Sequence, residues 1–76
     1  MEENEHPAFG FGIDYGDELV YCEVIMKETS YDIHFNNNWM ASIEYTENFT
    51  WLQASGTILP QKLIDDIGFQ IEHRYK

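Results

Sequence analysis

At seventy-six residues the chain has room for one hydrophobic core and no second unit, and a core this small is marginal unless something reinforces it. Fourteen acidic against four basic residues give a formal net charge of −10, which argues against direct binding to phosphate backbones or anionic membranes. The single cysteine, Cys22, excludes an intramolecular disulfide, so reinforcement falls to the aromatic side chains (two Trp, five Tyr, five Phe), each able to bury about 150–250 Å².

Residues 1–7 read as an acidic N-terminal tail, with no apolar segment of the kind a secretory signal needs. With a lone thiol, that predicts a cytoplasmic protein, and no apolar run approaches the roughly 18 residues of a membrane span. Residues 8–76 read as a single α+β domain. Phe9, Phe11, Ile13 and Tyr15 alternate with small or acidic residues, the period of a half-buried strand. Tyr15-Gly16-Asp17 then turns the chain. From Leu19 to Glu28 the β-branched and aromatic content predicts a second strand with Val20, Cys22, Val24 and Met26 on one side. Tyr31, Ile33 and Phe35 alternate with Asp32 and His34. After the Asn36-Asn37-Asn38 turn, Trp39, Ala41, Ile43 and Tyr45 are expected on one face of the next strand. A last strand is expected over Phe49–Ser55, with Phe49 and Trp51 on one side.

Pro60 sits where a helix would start, and Leu63, Ile64, Ile67, Ile71 and Tyr75 form one stripe along it. Asp65 and Asp66 fall toward the positive end of the helix dipole and His73, Arg74 and Lys76 toward the negative end. Gly68 inside the helix suggests close packing or a short break. The whole is an antiparallel β-meander of four to five strands packed against one C-terminal helix, which should lie across Phe35, Ile43 and Trp51. Phe69 points away from Ile67 on the helical wheel. It is therefore a candidate partner contact, against the plainer reading that it tucks under the Ile58-Leu59 loop or the N-terminal segment.

The sequence points to no cofactor. Gly10, Gly12 and Gly16 have the wrong spacing for a phosphate loop, and the neighbouring Asp14 and Asp17 would repel phosphate. Asp32, His34 and Glu44 share the polar face of the central hairpin, the composition of a metal site or a general base, but a solvated polar face explains the same residues without any site and is the favoured reading. His6, His34 and His73 have no zinc-ligand spacing. Cys22, between valines on an apolar side, reads as a small hydrophobe.

The leading functional reading is a small non-catalytic protein-interaction or regulatory domain. Its expected partner is a protein of basic character, met through Phe69, Asp65, Asp66, Glu72, Asp32 and Glu44, and the surplus apolar surface leaves room for a homodimer. A narrower form has the acidic surface mimic nucleic acid and block a nucleic-acid-binding partner. The alternative is a small metal-binding protein or enzyme using His34 with Asp32 and Glu44. The element order resembles that of double-stranded-RNA-binding domains and small partial-barrel antitoxins. That analogy rests on no shared motif, and the charge argues against RNA.

Overall fold

The computed structural model describes residues 7–75, the last of them by its backbone. The acidic tail before Pro7, His6 included, lies outside the described residues, as do Lys76 and the Tyr75 side chain. Five strands, β1 (Ala8–Tyr15), β2 (Glu18–Met26), β3 (Tyr31–Phe35), β4 (Asn38–Tyr45) and β5 (Trp51–Gly56), are followed by one helix, α1 (Gln61–Tyr75). All strands pair antiparallel with their sequence neighbours, in the order β1-β2-β3-β4-β5. The glycine-bearing first segment is thus a full strand, and the meander has five members.

Tight turns set this order. Gly16 takes φ 64° between β1 and β2, and Asn36 and Asn37 take φ 51° and 73° between β3 and β4, a left-handed region those residues tolerate. The alternation within each strand then sorts side chains by face. Val20, Cys22 and Val24 from β2, Ile33 and Phe35 from β3, Ala41 and Ile43 from β4 and Trp51 from β5 are buried on the inner face. Leu63, Ile64, Ile67 and Ile71 of the helix, with Leu59 before it, close the same core.

Two irregularities correct the expected faces. A register shift at β3–β4 pairs Ile33 with Ala41 but His34 with Trp39, so Met40 is the extra residue of a bulge. Trp39 therefore lies on the outer face beside His34, not inside with Ala41 and Ile43. The segment at Phe49 is not strand either: Phe49 has φ 64°, is exposed, and closes a turn in which its N–H donates to the Thr46 carbonyl over 3.0 Å. The strand begins at Trp51.

The helix begins one residue after Pro60, whose carbonyl accepts from the N–H groups of Leu63 and Ile64. No acidic residue occupies its first turn, so Asp65 and Asp66 sit one turn too late for the dipole role expected of them; His73 and Arg74 do fall in the last turn. Of the five strands the helix runs nearest β5. A Cβ on Gly68 would overlap the Trp51 indole, so the glycine is what lets helix and strand approach. The indole N–H donates to Glu72 Oε2 over 2.9 Å, and the ring packs at 4.8 Å from Tyr45 and 5.4 Å from Tyr31. One helix over β5 cannot cover five strands. Phe9, Phe11, Ile13 and Tyr15 of β1, on the far side of the inner face, pack against the core yet stay only half-buried.

Candidate functional site

The helix occupies the inner face alone, and no described element covers the outer one. Pairing sets the outer-face neighbours. Glu23 lies across from His34, and His34 across from Trp39. In the next row Ile25, Asp32, Ser42 and Ser55 stand side by side, and Glu44 stands across from Leu52. The apolar members of this face are open to solvent, Tyr21 at 54% and Trp39 at 49% of full exposure. Leu19 is more exposed still, at 75%, and Leu52 is at 52%. The result is an aromatic and aliphatic surface interspersed with Glu23, Asp32 and Glu44.

Local sequence explains how these side chains are held. Tyr21 lies flat over Gly10, where any side chain would overlap its ring, and Leu19 Cδ1 comes within 3.5 Å of a Cβ built on Gly12. The glycines of β1 thus make room for side chains of β2 that lean across them, an arrangement that supports a glycine-bearing edge strand. Asn36 fixes the other side of Tyr21: its Oδ1 accepts from the Tyr21 N–H over 2.9 Å, and its own N–H donates to the Tyr21 carbonyl over 2.8 Å. Lys27 Nζ stands 3.8 Å from Asp32 Oδ2, a half-exposed pair of small energetic weight.

The register separates the Asp32, His34 and Glu44 constellation. Asp32 and His34 are two residues apart on β3, but Asp32 faces Ser42, which puts Glu44 further from His34 along the strands, about 13 Å at some 3.3 Å per residue. The carboxylate nearest His34 by pairing is Glu23, a residue the sequence reading did not single out for it. Among the described residues, no group of three or more His, Cys, Asp or Glu side chains comes together in a form that could hold a metal ion.

The other candidates are divided among different surroundings. Glu72 is occupied by the Trp51 indole. Asp65 accepts from Gln61 Nε2 over 2.9 Å, and Asp66 pairs with Lys62 at 3.3 Å. Phe69 is 63% exposed, stacked on His73 at 5.9 Å, and does not tuck under the Ile58-Leu59 loop. It rims a groove of about 530 Å³ between β1 and the helix, whose walls include Phe11, Ile13, Leu63 and Asp66. The groove continues past Phe9 toward His73 and Arg74. Cys22 has no exposed surface, and burial pushes its thiol up to about 12. A thiol so placed is neither ionised at neutral pH nor reachable by a solute. Ser42 Oγ and Ser55 Oγ are 2.8 Å apart and bond to each other.

Comparison with protein-family models, curated proteins and solved structures finds no match. Among the described residues no helix is long and apolar enough to cross a membrane.

Proposed function

We propose that this protein is a non-catalytic binding domain that takes a basic protein partner on the outer face of its sheet. One observation carries the reading: a sheet face that no element among the described residues covers displays Tyr21, Trp39, Leu19 and Leu52 among Glu23, Asp32 and Glu44. Aromatic side chains offer large contact area at low entropic cost and are enriched at protein interfaces, while the carboxylates select a cationic partner and repel nucleic acid. Arginine suits such a face best, since its guanidinium both pairs with carboxylates and stacks on Tyr and Trp rings. The reading includes the narrower one, in which the partner's basic surface is itself a nucleic-acid-binding site. It also places the protein in a reducing cytosol, where Cys22 stays a thiol.

The test is recovery of partners from native extract by the wild-type protein and by the double variant Tyr21→Ser/Trp39→Ser, at about 50 mM and about 500 mM salt. A basic protein held by the wild type at low salt, released at high salt and lost by the variant is the expected result. A partner that the double variant holds as well as the wild type would place binding elsewhere and end this proposal.

A further inference from the structure

The sheet has two edges, and they are built differently. Beyond β5 the chain folds back on itself: Gln53 Nε2 donates to the Thr57 carbonyl, Leu59 N–H donates to Gln53 Oε1 over 2.9 Å, and Gln61 Nε2 donates to the Trp51 carbonyl over 2.9 Å. A register shift between Ser42 and Ile43 bends that edge further. At β1 nothing among the described residues pairs with the outer side. The strand is eight residues long and carries no proline or lysine, the usual guards of a free edge.

Which backbone groups face outward follows from the ladder. The Met26 N–H donates to the Pro7 carbonyl over 2.8 Å, and Pro7 is the residue next to the Ala8–Ile25 pair. Antiparallel ladders alternate, so Phe9, Phe11, Ile13 and Tyr15 bond inward to β2. The N–H and C=O groups of Ala8, Gly10, Gly12 and Asp14 then point to the free edge.

We propose that β1 is a self-association edge, at which two copies join β1 to β1 antiparallel about a two-fold axis through Phe11. In that register Ala8 bonds to Asp14 of the second copy and Gly10 to Gly12, so every outward donor of either strand meets an outward acceptor. On the inner face Phe11 meets Phe11 and Phe9 meets Ile13, which extends the half-buried row of β1 across the two copies.

Charge favours a second copy as the occupant. In a chain of net charge −10, β1 holds one charged side chain, Asp14, and is the strip on which two such molecules can approach. The groove beside it is also polarised along its length. Arg74 lies 5.6 Å over the Phe9 ring, with His73 at the same end; at the other end Asp66 is paired with Lys62, which leaves Asp14 as the acidic side chain. Antiparallel pairing brings the cationic end of each copy to the acidic end of its mate.

Light scattering from micromolar to millimolar concentration should give twice the 9.0 kDa chain mass, and Gly12→Pro should give the single mass over the same range. Proline there deletes an outward N–H that the fold itself does not use, and its Cβ meets only Leu19 at an ordinary 3.5 Å, so the circular dichroism should match wild type. A second variant reads the register. The Phe11 pair is a non-hydrogen-bonded one with Cα atoms about 4.5 Å apart. Phe11→Cys, made in a Cys22→Ala background because Cys22 stands directly across from Phe11 on β2, should therefore form a covalent dimer under mild oxidant. A single-chain mass at every concentration overturns the proposal. So does a Gly12→Pro protein that keeps the double mass, or a Phe11→Cys protein that does not cross-link.

Discussion

Residue by residue, burial has assigned roles that residue type left open. Glu72, a candidate contact by its charge, is instead the acceptor for the Trp51 indole N–H, so a carboxylate on the helix orients the largest side chain of β5. Cys22 carries a pH dependence. Its pKa moves from the ordinary 9.0 in the unfolded chain to about 12 in the fold, because burial disfavours the thiolate. Below pH 9 the thiol is protonated in both states and its contribution is fully present. Between the two values only the unfolded chain releases the proton, so stability falls as pH rises, by at most about 1.4 kcal/mol per pH unit for one group. Comparison with Cys22→Ala separates the thiol from every other effect of alkaline pH on the fold. Denaturant unfolding should show Cys22→Ala less stable than wild type at pH 7 and the gap closing toward pH 11. A gap that stays constant would mean that the thiol ionises as freely in the fold as outside it.

At the scale of elements, the strands were legible because the two-residue alternation of Val20, Cys22, Val24 and of Ile33 and Phe35 survives in the burial pattern. The helix stripe Leu63, Ile64, Ile67 and Ile71 was legible for the same reason at its own period. Trp39 was misplaced because a bulge at Met40 shifts every face assignment before it by one residue, and a bulge has no signature in hydrophobic alternation. The outer face was legible in part, since alternation sets Tyr21 opposite Val20 and Cys22 and Leu52 opposite Trp51; which face the helix takes stays open in a strand with apolar side chains on both. For Gly68 the sequence left close packing and a short break open, and the fold shows close packing, against the Trp51 indole. In an open helix Gly→Ala gains about 1 kcal/mol of propensity. Here the added methyl would overlap the Trp51 indole, and overpacking costs about 1–3 kcal/mol. Gly68→Ala is therefore expected to lower the thermal midpoint, with a further loss for Gly68→Val. A raised midpoint for Gly68→Ala would show that the helix can lift from β5 without cost.

For the whole molecule, ten net negative charges on a body with a radius of gyration of 12.1 Å set the sign of every long-range interaction. The Debye length falls from about 10 Å at 0.1 M salt to about 3 Å at 1 M, so added salt removes most of the field a diffusing partner feels. The two proposed surfaces then answer salt oppositely. A basic partner drawn to the outer face should associate more slowly as salt rises, with dissociation little changed, since steering acts on encounter and not on the packed contact. Self-association through β1 joins two molecules of like net charge across a nearly neutral strip, so it should tighten as their mutual repulsion is screened. Trp39 is exposed and Trp51 buried, which lets the fluorescence of Trp39 follow the first process while mass follows the second. Neutralising Glu23, Asp32 and Glu44 to the amides should slow partner association at about 50 mM salt by tenfold or more, within the range that electrostatic steering spans. The same change at Asp65 and Asp66, held on the other layer by Gln61 and Lys62, should slow it less. If the helix pair proves the more sensitive, the partner docks on the helical layer, and the outer face of the sheet is not its seat.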